Sequence, residues 1–352
     1  MYYVNPNLVD LNRIFDQHER KSYLRLDLNE NPGGLPKKFV KSVLRSITHT
    51  DISQYPETLE CTKKISHYIN VEKENICLVN GSAEGIRYII EAFTSDQGKI
   101  IGVVPSYFMF QVYAEMYNRV FVPVKYNSDL SINVDDIINE ISEDTQLLIL
   151  LNPNNPIGNV YSDGDIEKLI NKAIETKTTV LIDEAYNLFY QKTFLKYAIN
   201  NDNIFITRTF SKLFSMAGCR LGYVVGSANS IRFIQKLTTP HNTNILALRF
   251  AEKVLDSPEI IEKLINKYRV GREYLTKELK KYNYTYHGEN GNFIFIKPKT
   301  NPVSLVEKMK IEKKILIKSY KDIGYLGTCL RVSIGEKKYM QQFIKALIEL
   351  DR

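Results

Sequence analysis

Seven short apolar runs alternate with helical patterns between residues 76 and 226, and this alternation limits the possible folds more than any other feature. Segments such as SAEGIRYIIEAFT and DIEKLINKAIET have helical periodicity. Continuous apolar strands that alternate with helices predict an α/β protein with a mostly parallel seven-stranded sheet and helices on both faces. The runs are rich in isoleucine and valine and read ICLVNG, KIIGVVP, VFVPVKY, LLILLNP, TTVLIDEA, IFITRTF and LGYVVGS.

A second pattern begins near residue 240 with long helical segments, continues with three strand-like runs and ends with a helix, KKYMQQFIKALIEL. The three runs are NFIFIKP, ILIKSY and CLRVSIG, and together with the helices they predict a smaller α+β domain. A chain of 352 residues is long enough for two domains. We assign residues 1–45 to an N-terminal arm and part of the small domain, 46–240 to the large domain and 241–352 to the small C-terminal domain.

Charge and cysteine usage restrict the classes of function. The net charge of +7 arises from 47 basic and 40 acidic residues, and many lysines stand beside glutamates. That pattern favours a solvated surface over a nucleic-acid-binding face. The four cysteines form no CxxC pair and the five histidines no HExxH motif, so we expect no metal site. The chain contains no long apolar run and its start has no signal-peptide core, so we expect no membrane partner and a cytoplasmic location.

Polar side chains follow five of the predicted strands. LLILL is followed by NPNNPIG, TTVLI by DEAY, IFITRTF by SK, ICLVN by GSAE and KIIGVV by PSY. Each of these segments alone is typical of turns or helix caps. The carboxyl ends of the strands of a parallel sheet lie at one edge, where α/β proteins bind ligands. The set, together with the GCRLG that follows the lysine, therefore predicts a ligand site at this edge.

The segments NPNNPIG, DEAY, TFSK and GCRLG, in this order and spacing, resemble the class I/II aminotransferases of pyridoxal phosphate (PLP) fold type I. An early NENP, QYPE at 54–57, GSAEGI at 81–86, PSYFMF at 105–110 and LRVSIG at 330–335 resemble the histidinol-phosphate aminotransferase branch. The resemblance covers residues 25 to 350 approximately. It implies a PLP-dependent aminotransferase with pyridoxal 5'-phosphate as its cofactor and small amino, keto or aldehyde compounds as its substrates.

The resemblance also implies roles for single residues. Lys212 would form the Schiff base with the cofactor and, once released, would move the substrate proton. Asp183 would pair with the pyridine nitrogen and keep the ring an electron sink. Asn155 and Tyr186 would bind the phenolic oxygen, and Asn155 would also lie against the substrate. Lys212, Asp183 and Tyr186 are thus the expected catalytic set.

The same resemblance implies contacts for the rest of the cofactor and for the substrate. The phosphate would rest on the amides at the start of a helix and on three further side chains. An aromatic side chain would stack on the ring, an arginine would bind the substrate carboxylate, and a tyrosine would reach the cofactor of a second subunit in a homodimer. These residues are Ser82 and Ala83, then Thr209, Ser211 and Arg220, then Tyr107, Arg331 and Tyr55. Asn155–Pro156 is expected to be a cis peptide.

Two positions differ from the histidinol-phosphate aminotransferase pattern. Where that branch has a tyrosine after NENP, this chain has Gly33 and Gly34, and where the branch has an arginine, this chain has Lys318. Lys318 can still bind a phosphate, as a point charge rather than a fork. Histidinol phosphate itself is therefore not the expected substrate. Because Arg331 offers a fork for an α-carboxylate and Lys318 adds a second cation, we expect an amino group to pass from glutamate to a small, phosphorylated keto or aldehyde acceptor.

Two alternatives remain open from the sequence. The segments ILIKSYKDIGYLGTCLRVSIG and HNTNILAL also resemble the threonine-phosphate decarboxylases, which would release carbon dioxide from phosphoserine or phosphothreonine. The sequence does not decide which bond of the substrate breaks. A non-catalytic regulator with an aminotransferase-like domain is the third possibility, although residues 1–25 are too short to form a helix-turn-helix domain.

Overall fold

The computed structural model describes residues 2–9, 11 and 19–352. Its strands confirm all ten predicted runs, and the sequence did not predict β1, β9 or a separate β11. The strands are β1 Leu24–Arg25, β2 Ile76–Val79, β3 Lys99–Val104, β4 Val120–Lys125, β5 Thr145–Leu151, β6 Thr179–Asp183, β7 Ile204–Thr209, β8 Gly222–Val225, β9 Thr285–His287, β10 Phe293–Lys297, β11 Ile315–Leu316, β12 Lys318–Ile323 and β13 Gly327–Ser333.

The helices fill the intervals between the strands, and short 3₁₀ turns occur at 73–75, 187–189, 217–219 and 324–326. Within the described ranges no helix is both long enough and apolar enough to cross a membrane. The helices are α1 Pro6–Val9, α2 Lys37–Ser46, α3 His49–Ser53, α4 Leu59–Ile69, α5 Ser82–Phe93, α6 Met109–Met116, α7 Val134–Glu140, α8 Asp163–Glu175, α9 Leu195–Asn200, α10 Ala228–Leu237, α11 Ile245–Leu255, α12 Pro258–Lys281, α13 Pro302–Lys313 and α14 Lys337–Leu350.

The large sheet has seven strands in the order β2-β8-β7-β6-β5-β3-β4. β8 runs antiparallel to both of its neighbours, and every other adjacent pair is parallel. The carboxyl ends of β5, β6 and β7 are therefore adjacent at one edge. This topology confirms the predicted mostly parallel sheet of seven strands and explains why the polar segments after these strands meet.

Alternate residues of the large sheet enter two separate cores. In β5, Leu148 and Leu150 pack with α8 on one face, and Leu147 and Ile149 pack with α5 on the other. Both faces are thus buried, which explains why the strands read as continuous apolar runs. Asp183 and Thr207 are paired in register and lie on the α5 face. The direction of side chains at the strand ends is fixed by this alternation.

The small sheet has four strands in the order β12-β13-β10-β9, all antiparallel, and packs against α12, α13 and α14. β1 pairs with β11 in parallel, which joins the N-terminal segment to this unit. α11 contributes Ala247, Leu248 and Val254 to a core of the large sheet. The boundaries at 45 and 240 and the cytoplasmic location stay predictions.

The predicted cis peptide at Asn155–Pro156 is wrong. The cis bonds are Val104–Pro105 and Asn152–Pro153, at the ends of β3 and β5. The segment NPNNPIG contains two Asn-Pro bonds, and the sequence carries no local signal that tells them apart. Only the bond next to the strand is cis.

Candidate active site

Asp183 ends β6 inside the protein, at the centre of the sheet edge. Its carboxylate accepts hydrogen bonds from Thr207 Oγ1 at 2.9 Å and from the Ala185 amide at 3.1 Å. Burial raises the pKa of Asp183 to about 7, because the charged form loses its water, although both hydrogen bonds oppose the shift. The negative charge of this buried carboxylate is only partly compensated by the protein. A carboxylate in this position suits a cationic ring nitrogen as its partner.

Lys212 extends from the turn after β7 toward the same place. Its Nζ donates to the Leu28 carbonyl at 3.2 Å and lies 5.5 Å from the centre of the Tyr186 ring. Burial is the main reason that the pKa of Lys212 is lowered to about 8. The positive charges of Arg331 and Arg220 lower it further, and the negative charges of Glu30 and Asp183 act in the opposite direction. An amine with this pKa is easily deprotonated near neutral pH and can act as a nucleophile or base.

Tyr186, Asn155 and Arg331 meet around a residue to which the sequence assigned no role, Asn29 of the NENP segment. Asn29 Nδ2 donates to Tyr186 Oη at 3.0 Å and to Asn155 Oδ1 at 3.3 Å. Arg331 donates to the same Asn155 oxygen at 2.9 Å and to the Asp27 carbonyl at 2.5 Å. The signal in the sequence was the NENP segment itself.

Arg331 and Lys318 lie directly opposite each other on the neighbouring strands β13 and β12. Paired residues of antiparallel strands project from the same face, so both cations point to one side of the small sheet. The Arg331 guanidinium also stands 5.1 Å from the centre of the Tyr320 ring. Arg331 is buried, and its Nε has no hydrogen-bond partner in the part of the chain that the structure describes.

A cup of hydrogen-bond donors forms between the start of α5 and the turn after β7. The first helical residues are Ser82 and Ala83, and no side chain caps this helix start. Arg220 is 3.4 Å from Ser211 Oγ, and Thr209 Oγ1 is 3.0 Å from the same oxygen. Free amides at a helix start, hydroxyl groups and a guanidinium form a site that suits a phosphate.

Two glycines permit the close approach of chain segments at this cup. A Cβ on Gly81, whose φ is +83°, would lie 2.5 Å from the Arg220 guanidinium. A Cβ on Gly222 would lie 2.5 Å from the Ser82 nitrogen. Any side chain at either position would fill the cup or displace the helix start, which explains why glycines stand beside Ser82 and Arg220.

The remaining two predicted residues differ in their placement. Burial is the main cause that raises the pKa of the Tyr107 phenol; Tyr113, Asp183 and Tyr186 act in the same direction, and Arg220 opposes them. Tyr107 therefore lies at the same site. Tyr55 is 79% exposed, and its ring stacks on the His241 ring with centroids 4.5 Å apart. Apart from Tyr55, the structure brings the predicted residues together at the sheet edge and the facing strands of the small unit.

Comparisons with known proteins identify the family of the chain. The profile of the family described as aminotransferase class I and II matches residues 21–347. A histidinol-phosphate aminotransferase of Thermoanaerobacter pseudethanolicus is 31% identical over 340 residues, which cover 96% of this chain and 95% of that protein.

Two solved structures have the same fold. The histidinol-phosphate aminotransferase of Clostridium acetobutylicum has a TM-score of 0.83 and 27% identity, with 93% of this chain and 99% of that chain covered. The L-threonine-O-3-phosphate decarboxylase of Porphyromonas gingivalis has a TM-score of 0.76 and 21% identity, with 93% and 98% covered.

Fold and site together define a PLP-dependent aminotransferase. The chain belongs to the aminotransferase class I and II family. The residues present fit the cofactor: the cup between α5 and Arg220 matches a phosphate, the buried carboxylate of Asp183 matches a pyridinium, and Lys212 offers an amine of lowered pKa. When bound, pyridoxal phosphate supplies an aldehyde for the lysine and a ring that accepts electrons.

Proposed function

We propose that the enzyme takes an amino group from glutamate and passes it to a small phosphorylated ketone or aldehyde. The observation that carries the proposal is the pairing of Arg331 with Lys318 on one face of β12 and β13. Arg331 also reaches Asn155, so one cation lies beside the site and the second lies next to it. Arg331 suits the planar α-carboxylate of glutamate, and Lys318 suits the distal anion of either substrate.

In this proposal Lys212 holds the cofactor and moves the proton of the substrate. Its lowered pKa leaves a substantial fraction of the amine neutral near pH 8, which lets it accept a proton from carbon. Asp183 holds the pyridine nitrogen in its protonated form, and Tyr107 covers the ring. Thr209 and Ser211 bind the phosphate together with the remaining groups of the cup, namely the Ser82 and Ala83 amides and the Arg220 guanidinium.

Decarboxylation of phosphoserine or phosphothreonine is the second candidate. Its support is the resemblance of residues 315–335 to threonine-phosphate decarboxylases, and the two enzyme classes share this fold. The chemistry depends on which bond of the substrate stands perpendicular to the cofactor ring. Both candidates place an anionic substrate between the same two cations.

One experiment separates the two reactions. Stoichiometric cofactor-loaded enzyme is mixed with glutamate and without an acceptor, and the absorbance spectrum and 2-oxoglutarate are followed. We expect loss of the pyridoxal absorbance and about one 2-oxoglutarate per site. An unchanged spectrum with glutamate, alanine and aspartate, together with carbon dioxide from phosphoserine or phosphothreonine, would establish decarboxylation instead.

Lys318→Ala tests whether Lys318 binds a distal anionic group of the substrate. A contact with a charged group contributes about 1.5–3 kcal/mol, so the Michaelis constant of a phosphorylated acceptor should rise roughly tenfold to a hundredfold. Lys321→Ala is the matched control, because Lys321 is on the same strand but is exposed and lies beyond the residues that pair with Arg331 and its neighbours. An unchanged constant in Lys318→Ala would favour an acceptor without phosphate.

We also propose that the protein is a homodimer in which Tyr55 reaches the cofactor phosphate bound by the second copy. The support is a group of exposed apolar side chains: Ile52 of α3 and Leu59 of α4 are close to Tyr55 in the chain, and Leu246 belongs to α11, which packs against α4. Exposed apolar clusters of this kind are typical of protein interfaces.

Tyr55→Phe should weaken retention of the cofactor without dissociating the dimer. Loss of one hydrogen bond corresponds to about 0.5–1.5 kcal/mol, which raises the dissociation constant roughly twofold to tenfold. Tyr325→Phe, a change at another exposed tyrosine, serves as the control. Light scattering that shows a fully active monomer would overturn the shared site.

A further inference from the structure

Asn29 connects the small sheet to two residues of the cofactor site. It is buried, with a backbone φ of +55°, a conformation that asparagine tolerates. Its amide N–H donates to Ser333 Oγ at 2.8 Å, and its carbonyl accepts from Asn292 Nδ2 at 2.9 Å. Its side-chain oxygen accepts from the Ser333 hydroxyl at 3.3 Å. The side-chain nitrogen is thereby directed at Tyr186 and Asn155.

The direction of each hydrogen bond in this network follows from Arg331. A guanidinium can only donate, so the side-chain atom of Asn155 at 2.9 Å from it must be the oxygen. The Asn29 atom that faces this oxygen at 3.3 Å must then be a donor, which is the nitrogen Nδ2. The second hydrogen of Nδ2 points to Tyr186 Oη at 3.0 Å, so the tyrosine oxygen accepts.

In this arrangement the hydroxyl hydrogen of Tyr186 and the side-chain N–H groups of Asn155 remain as donors. Tyr186 uses its oxygen to accept from Asn29, and its own O–H has no acceptor among the described residues. The Asn155 oxygen accepts from both Arg331 and Asn29, and in the described ranges its Nδ2 also has no acceptor. Both groups are thus available as donors to a ligand.

We propose that Asn29 is a positioning residue that directs the Tyr186 hydroxyl and the Asn155 amide, both as donors, at the phenolic oxygen of pyridoxal phosphate. The inference rests on the proposed roles of Tyr186 and Asn155. Hydrogen-bond donors stabilise the anionic form of that oxygen, so the bound cofactor loses its titratable proton at a lower pH. The pH midpoint of the visible absorbance change of the cofactor-loaded enzyme therefore falls. This midpoint is a readout separate from turnover.

Asn29→Asp tests the direction of the hydrogen bonds. Aspartate has the same shape and tolerates the same backbone conformation, but an ionised carboxylate can only accept, so the Tyr186 hydrogen should turn toward it. We expect the midpoint to rise by about one pH unit or more. The added charge alone also raises the midpoint, so the change is repeated in a Tyr186→Phe background, where we expect the rise to be less than half as large.

Asn31→Ala is the matched control in the same segment. Asn31 Nδ2 donates to Ser215 Oγ at 2.7 Å, so its removal loosens the segment without touching the network, and the midpoint should not change. The charged groups around Lys212, namely Arg331, Arg220, Glu30 and Asp183, are present in every variant.

The outcomes distinguish the inference from the proposed roles. An equal rise for Asn29→Asp in both backgrounds, or an equal rise in Asn31→Ala, overturns the positioning role of Asn29. If Tyr186→Phe and Asn155→Ala themselves leave the midpoint unchanged, the proposed contacts to the phenolic oxygen fail. A rise in those two variants with none in Asn29→Asp overturns the inference about Asn29 alone.

Discussion

Lys212→Ala is expected to reduce turnover by at least about ten-thousandfold, because one change removes both the nucleophile and the general base. The variant should still bind pyridoxal phosphate, more loosely, through Asp183 and the cup around Arg220. Borohydride should bleach the wild-type enzyme and leave the reduced pyridoxyl group on Lys212, as mapped by peptide mass spectrometry. Lys192→Ala is the control, since that side chain is half exposed and pairs with Asp163.

Folding of the Lys212→Ala variant is not expected to be impaired. Burial lowers the pKa of the Lys212 amine to about 8, which means that the folded protein favours the neutral amine over the charged one. Removal of this amine therefore does not remove a stabilising charge. Circular dichroism and thermal unfolding of the cofactor-free variant should match the wild type or exceed it. A label on another lysine, or residual turnover near the wild-type rate, would remove Lys212 from its proposed role.

The large sheet was predictable because burial on both faces makes its strands unusually apolar. Leu147 to Leu151 form one continuous run, since alternate members enter different cores. The polar segments that follow β5, β6 and β7 lie together because the carboxyl ends of neighbouring parallel strands share an edge. Local pattern and topology agree there, so the sequence was sufficient to predict the strands of the large sheet.

Contacts between distant segments could not be predicted in the same way. β1 and β11 have two residues each and are stabilised by pairing across 290 positions of sequence rather than by their own pattern. Asn29 contacts Ser333 and Tyr186, which are far from it in the chain, and an asparagine three residues before a proline is ordinary in a turn. The register of Lys318 opposite Arg331 likewise depends on strand pairing.

Cofactor-free protein offers a test of the unusual environment of Asp183. Burial raises its pKa from 3.8 to about 7, so between these values the folded protein holds a proton that the unfolded chain has released. The contribution of Asp183 to the free energy of unfolding should therefore fall as the pH rises from about 4 to 7. Asp183→Asn removes this contribution, so denaturant unfolding of the variant should depend less on pH over this range.

The same Asp183→Asn change should reduce kcat/KM on the order of a hundredfold to a thousandfold, as expected when a buried group that stabilises developing charge is lost. The carboxylate of Asp183 can balance a protonated pyridine nitrogen, whereas the neutral amide cannot, so the bound ring becomes a weaker electron acceptor. Its partners Thr207 and Ala185 remain in place, and the isosteric change keeps the packing. Stopped-flow measurement of the glutamate half-reaction isolates the proton-transfer step from cofactor loss. A variant that retains the cofactor and reacts at the wild-type rate would show that Asp183 does not contact the pyridine nitrogen.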